Sequence, residues 1–201
     1  MRLAVFASGR GSNFAALLKA RAEGRLPEAE FALLFSDKAD ARALDLAREA
    51  GIATLHLSPR DFENRTAYEQ ALVGHLRNHR VEGICLAGYM RLVGTPLLAA
   101  YPQRILNIHP ALLPSFPGLH GHRDALQYGV KVSGCTVHFV DAGMDTGPVI
   151  VQRAVPVLDN DTEETLAARI LEQEHQAYPE AVDLFTRRQL RIEGRRVVRG
   201  A

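Results

Sequence analysis

The sequence of 201 residues contains only two cysteines, Cys85 and Cys135. Both sit in apolar, strand-like surroundings and read as small buried thiols, which excludes a disulfide framework as the source of stability. Neither charge is in excess: 24 Lys and Arg stand against 23 Asp and Glu, a formal net charge of +1. Such a balance gives no global attraction to nucleic acid or to an anionic membrane. Long apolar runs are missing as well; none approaches the roughly 18–20 residues that span a bilayer. Internal repeats, low-complexity tracts and linkers are absent. The first strand-like run starts at residue 2, so no signal peptide is expected and the expected location is cytoplasmic.

Apolar residues make up 47% of the chain, enough to bury a core as one domain over residues 1–201. Strand and helix signals alternate, which predicts the α/β class. The expected architecture is a Rossmann-like, mostly parallel twisted sheet with helices on both faces and an antiparallel strand pair in the second half. Residues 2–7 (RLAVFA) form a short apolar run without polar alternation, as in a strand buried on both faces. Further strands are expected at 30–35, 53–57, 83–87 and 104–108, and helices at 14–21, 41–50, 62–79 and 95–101. In the third helix Tyr68, Leu72 and Leu76 recur at helical spacing. Residues 132–140 and 149–157 are longer, partly alternating strands joined by a Gly-rich connection, hence the antiparallel pair. Thr162 caps a long helix reaching about residue 185 through Pro179, where a kink or break is expected. A small exposed hairpin is expected around Glu193-Gly194.

Ser8-Gly-Arg-Gly-Ser-Asn13 follows the first strand and opens a helix. Backbone N–H groups and the helix dipole hold anions at such a place. Gly9 and Gly11 permit the tight turn, while Ser12 and Asn13 either cap the helix or donate to phosphate oxygens. Phe14 stands where the third glycine of a dinucleotide fingerprint would fall, and no lysine follows to make a P-loop. Asp37, at the end of the second strand, only imitates the ribose-binding acid of nicotinamide proteins.

Asn107 and His109 stand at i and i+2 near the end of an apolar strand, so both side chains share one face. Pro110 ends that strand and leaves His109 at the carboxyl edge, where open α/β sheets bind ligands. A carboxylate to orient the imidazole is best supplied by Asp145, between Gly143 and Gly147, with Asp141 as competitor. Such a neighbour raises a histidine pKa and favours the imidazolium. The alternative is that His109 merely ends a strand and Asp145 forms a turn. His120 and His122 make an H-x-H pair without a third ligand at standard spacing; they are read as loop contacts, and no metal is expected. His138 is read as a satisfied, inward-facing polar group within its strand.

The stretches FASGRGSN, LAGYMRLV, ILNIHPALLPSFPG, HFVDAGMDTGPVI and EQEHQAYP together resemble the phosphoribosylglycinamide formyltransferase family, within the 10-formyltetrahydrofolate transferase group. They span nearly the whole chain; Gly121 is a mild departure. The resemblance implies formyl transfer from 10-formyltetrahydrofolate, a co-substrate, to the amine of glycinamide ribonucleotide in purine biosynthesis. It implies that Asn107, His109 and Asp145 carry the chemistry, with a protonated His109 and the Asn107 amide stabilising a tetrahedral oxyanion. No covalent intermediate is needed, so Cys85 and Ser115 are not nominated as nucleophiles. Gly11, Ser12 and Asn13 would hold the substrate phosphate, and Glu174 its ribose or glycinamide part. Arg65, Met90, Arg91, Leu92, Val93, Asn107, Val140 and Asp141 would line the folate site. Without the resemblance, Glu174 would read as a solvated helix acid and Arg65 as a surface residue.

Rival readings are a formyltetrahydrofolate hydrolase or another formyltransferase catalytic domain, a nicotinamide oxidoreductase, and a non-catalytic nucleotide-binding module. The tRNA formyltransferase and the hydrolase are expected to carry a further domain, for which residues 1–201 leave no room. The oxidoreductase lacks its third glycine, and a mere binding module has no use for Asn107, His109 and Asp145. A homodimer stays open.

Overall fold

In the computed structural model, which describes residues 1–200, the chain forms the expected mixed, mostly parallel α/β sheet with antiparallel pairing in its second half. It divides into two compact units, Met1–Leu106 and Asn107–Ala201, and strand β5 (Ile105–His109) runs through the boundary.

In the first unit β1 (Arg2–Phe6), β2 (Glu30–Ser36), β3 (Thr54–His56) and β4 (Gly83–Leu86) lie in the order β3-β2-β1-β4, all parallel. Leu3 to Phe6 are wholly buried, as their unbroken apolar run requires of a central strand. The helices are α1 (Ser12–Ala22), α2 (Arg42–Glu49), α3 (Arg65–Asn78) and α4 (Thr95–Ala100). Helix α3 begins three residues later than the periodicity suggests. Asn64 caps it by accepting from the Ala67 N–H at 2.9 Å, and a 3-10 turn at Pro59–Asp61 takes up the preceding chain. Tyr68, Leu72 and Leu76 are buried as expected. The Phe6 ring packs edge-on against Phe35 and Tyr89, with centroids 4.8 and 5.4 Å away. The chain leaving β4 is therefore anchored at Tyr89 before it turns into the irregular residues 90–94.

In the second unit the strand order is β5-β6-β7-β9-β8. Strands β6 (Val132–Phe139) and β7 (Val149–Pro156) pair antiparallel, with Cys135 opposite Arg153 and Val137 opposite Val151. The register shifts between Val137 and His138, an irregularity that re-aims side chains near it. The hairpin β8 (Leu190–Glu193) and β9 (Arg196–Arg199) forms as expected, but it joins the sheet through a parallel pairing of Val149 with Arg196.

Two expectations are corrected here. Residues around His122 form helix α5 (Gly121–Tyr128), stopped by Gly129 at φ 81°, rather than a loop. Helix α6 (Glu163–Thr186) passes through Pro179 without a break. Its buried stripe of Leu166, Ile170, Tyr178, Val182 and Phe185 continues on both sides of the proline, so packing on β6 and β7 holds it as one element. Among the described residues no helix is long and apolar enough to cross a membrane.

Candidate active site

The glycine loop is shaped by Gly11 itself. Helix α1 starts at Ser12, and its N-cap is Gly11 at φ 77°, with no side-chain cap. The expectation that Ser12 or Asn13 caps the helix is therefore replaced: the cap position needs a left-handed backbone, which glycine supplies without a Cβ penalty. A Cβ on Gly11 would stand 2.9 Å from the Ala43 Cβ, so α2 also approaches too closely for any other residue. The Ser12 and Asn13 side chains are thereby left at the first turn of an 11-residue helix. Asp37 is bonded to the first residue of this loop and to Arg91. Its Oδ1 accepts from the Ser8 hydroxyl at 2.7 Å, and its Oδ2 lies 3.2 Å from Arg91 Nε.

The second unit brings Asn107 and His109, placed on one strand face by their spacing, together with Asp145, the candidate between two glycines, and adds His138. The Asp145 carboxylate stands between two imidazoles: Oδ2 is 3.5 Å from His109 Nδ1, and Oδ1 is 3.6 Å from His138 Nε2. His138 Nδ1 donates to the Phe139 carbonyl at 2.8 Å, so in the neutral ring its Nε2 is the acceptor. Asn107 Nδ2 donates to that Nε2 at 3.2 Å, which leaves its second amide hydrogen free for a ligand. His109 Nε2 donates to the Phe116 carbonyl at 2.8 Å. Both imidazoles are nearly inaccessible, at 4% and 2% side-chain exposure. The reading of His138 as a bland core histidine is thus incomplete: it is satisfied, and it also orients Asn107. Its signal was only its place in a strand, because the neighbour it serves lies 31 residues away.

Local geometry supports this cluster. Thr136 Oγ1 donates to the Ala111 carbonyl at 2.7 Å and accepts from the Leu113 N–H at 3.0 Å, and Gln152 donates to the Leu113 carbonyl. These bonds pin the proline-rich loop so that Phe116 presents its carbonyl to His109. Phe116 and Asp145, the two residues that flank the His109 ring, both have positive φ, 53° and 55°. Strained backbone of this kind gathers at functional sites, at about 1–3 kcal/mol each. Gly143 and Gly147 permit the loop around Asp145. A Cβ at either would collide with Thr146 Oγ1 or with the Phe139 carbonyl. Asp141, the competitor, is turned into this loop, where Oδ1 accepts from the Gly143 N–H and the Thr146 hydroxyl.

Electrostatics correct one further expectation. Burial pushes His109 below its ordinary value of 6.5, and the Asp145 charge and the Phe116 carbonyl do not offset it. The resting imidazole is therefore neutral at pH 7 rather than the imidazolium first expected. Burial alone would raise Asp145, but the His138 contact, the Gly118 N–H at 2.8 Å and the charge of His109 bring it below 3.8. The pair thus rests as carboxylate and neutral imidazole.

The remaining expected residues divide as follows. Glu174 is buried on α6 rather than solvated, and its charge adds to burial in pushing the Cys135 thiol up to about 12. Arg65 opens α3 and is exposed, with a side chain 55% accessible, and its guanidinium donates to the Leu92 carbonyl at 2.5 Å. Met90 and Leu92 are 58% and 54% exposed, two of several large apolar side chains at the surface. Val140 is half-buried, next to Asp141. Cys85 is buried. Among the described residues no group of three His, Cys, Asp or Glu is arranged to hold a metal ion.

Fold and polar cluster together are those of an α/β group-transfer enzyme. The chain belongs to the formyl transferase family, whose profile matches residues 1–182. It is 48% identical over 181 residues to the phosphoribosylglycinamide formyltransferase of Bacillus subtilis, covering 90% of this chain and 92% of that one. It is also 48% identical over 191 residues to the trifunctional purine biosynthetic protein adenosine-3 of Drosophila pseudoobscura, where the match covers 94% of this chain but only 14% of that protein. The crystal structure of glycinamide ribonucleotide transformylase 1 from Symbiobacterium toebii superposes with a TM-score of 0.98 at 54% identity, covering 100% of this chain and 94% of the other.

Proposed function

We propose that this chain transfers the formyl group of 10-formyltetrahydrofolate to the primary amine of glycinamide ribonucleotide, a step of purine biosynthesis, in the cytoplasm. The amine attacks the formyl carbon, the carbonyl oxygen becomes an oxyanion, and the nitrogen must lose a proton before the adduct collapses. The free Asn107 amide hydrogen is a donor of the right kind for that oxyanion, held in aim by His138. The Asp145 carboxylate, with neutral His109 beside it, is the acceptor for the amine proton. Once protonated, His109 has an acceptor at each ring nitrogen, Phe116 and Asp145, so the cluster stabilises the charge it has gained. Collapse expels the folate N10, which takes a proton from the same pair. Tetrahydrofolate and the formylated amide are released, and no covalent enzyme intermediate forms.

In this reading Gly11, Ser12 and Asn13 hold the substrate phosphate and Glu174 its ribose or glycinamide part. Arg65, Met90, Arg91, Leu92, Val93, Asn107, Val140 and Asp141 receive the folate. The observation that carries the reading is the buried arrangement of Asp145 between His109 and His138, with Asn107 oriented by the latter. The test is to mix purified protein with 10-formyltetrahydrofolate and glycinamide ribonucleotide. Tetrahydrofolate should form in equal amount with the formylated ribonucleotide; release of formate at the same rate without the amine would instead indicate a hydrolase.

A further inference from the structure

We infer that two buried carboxylates, Asp37 and Glu69, are positioning residues that hold residues 90–94 as a strap for the folate co-substrate, a role that rests on the formyl-transfer reading above. The strap has neither helix nor strand to fix it, yet it is pinned at both ends. At its start Ser8 Oγ accepts from the Met90 N–H at 3.1 Å and donates to Asp37 Oδ1 at 2.7 Å, while Asp37 Oδ2 lies 3.2 Å from Arg91 Nε. At its end Glu69 Oε1 accepts from the Gly94 N–H at 2.8 Å and from Arg65 Nε at 3.1 Å. Arg65 in turn donates to the Leu92 carbonyl. The two carboxylate side chains are only 8% and 3% exposed. Burying an acid so deeply is costly unless charge and N–H donors compensate it, and here the compensating donors come largely from the strap and from Arg65. Gly94 is part of the device, because a Cβ there would stand 2.5–2.8 Å from the Glu69 carboxyl group.

Between the two pins the large side chains of Met90 and Leu92 stay exposed. A flat heteroaromatic ring with a polar edge suits such a surface: apolar side chains to lie against, backbone groups held still beside them. The two ends differ in one respect. Ser8 opens the glycine loop, so the Asp37 end is bonded to the segment proposed to hold phosphate, whereas the Glu69 end is bonded only to α3 and the strap. Glu69 is therefore selective for the folate, and Asp37 acts on both ligands.

The experiment compares Glu69→Gln, Gly94→Ala and Asp37→Asn by calorimetric titration with tetrahydrofolate and with glycinamide ribonucleotide, alongside steady-state kinetics. Glu69→Gln and Gly94→Ala should each weaken tetrahydrofolate binding about tenfold, the scale of one charge-assisted hydrogen bond. The folate KM should rise in step, with kcat and ribonucleotide affinity within about twofold of the parent. Asp37→Asn should weaken both ligands. Glu69→Ala, followed by amide hydrogen exchange, should speed exchange at residues 92–94. Unchanged folate affinity in Glu69→Gln and Gly94→Ala, equal weakening of both ligands in Glu69→Gln, or unaltered exchange in Glu69→Ala would overturn the inference. A parent protein that binds neither ligand would overturn the formyl-transfer reading instead, and the exchange measurement would still report on the strap.

Discussion

Asp145 Oδ2 lies 3.5 Å from His109 Nδ1, and the opposite nitrogen of the same ring is bonded to the Phe116 carbonyl. An imidazole between two oxygen acceptors has a place for a second proton, while burial keeps it neutral at rest. That tension makes the pair a proton acceptor during turnover rather than a fixed ion pair. Asp145→Asn removes the charge that receives the proton, and His109→Ala removes its partner. Each should lower kcat about a hundredfold or more, the usual scale for such groups. Stopped-flow measurement of tetrahydrofolate formation checks this, and near-normal turnover in either variant contradicts the assignment.

His138 should matter by a different route. In the neutral ring Nε2 accepts from Asn107 Nδ2; carrying a proton instead, the same nitrogen faces Asp145 Oδ1 at 3.6 Å and lowers that carboxyl. His138→Phe keeps the bulk but leaves the Asn107 amide without its orienting partner. We expect kcat to fall about tenfold. The acid limb of the pH–rate profile should also move to higher pH, because Asp145 loses an influence that holds it down. A fall in kcat with an unmoved acid limb would mean that His138 acts only through packing.

Much of this was legible in the sequence, for identifiable reasons. The unbroken apolar run of β1 required burial on both faces, and the i, i+2 spacing of Asn107 and His109 required a shared face. Gly143 and Gly147 marked the loop that carries Asp145. What was hidden depends on pairing across long separations. His138 acquires its role from β5 lying beside β6 and from the register shift after Val137, neither of which its own neighbours encode. Glu69 looks like any helix acid until Gly94 and Arg65 fold over it. Helix α5 opens on His120-Gly121 without a capping side chain, so only the stop at Gly129 betrayed it.

Acid should destabilise the fold earlier than its carboxylates would suggest. Burial lowers His109, His122 and His175 below 6.5 in the folded state. As pH falls through about 6.5 the unfolded chain takes up protons first, so stability is lost from there downward. Asp145 works in a lower window: its depressed value contributes stability above 3.8 that disappears as pH falls further. Urea midpoints should therefore be lower at pH 5.5 than at 7.5. His175→Gln, which removes a ring whose Nε2 is buried without a hydrogen-bond partner, should narrow the difference. Equal midpoints at the two pH values would contradict the direction of these shifts.

Gly11 separates loop shape from loop chemistry. With φ at 77° and Ala43 2.9 Å from the position a Cβ would take, Gly11→Ala must shift either the turn or α2. Strain of this kind costs about 1–3 kcal/mol, which thermal unfolding can measure. Ser12→Ala keeps the backbone and removes only a hydroxyl from the first turn of α1, so its unfolding temperature should stay close to the parent's. If the loop holds the substrate phosphate, both variants weaken glycinamide ribonucleotide binding more than tetrahydrofolate binding. The mechanisms differ: Gly11→Ala misplaces the N–H donors, and Ser12→Ala subtracts one donor from a loop that keeps its shape. Equal losses for the two ligands in Ser12→Ala would place the phosphate elsewhere. A stable Gly11→Ala protein with full ribonucleotide affinity would mean that the left-handed turn serves α2 packing alone.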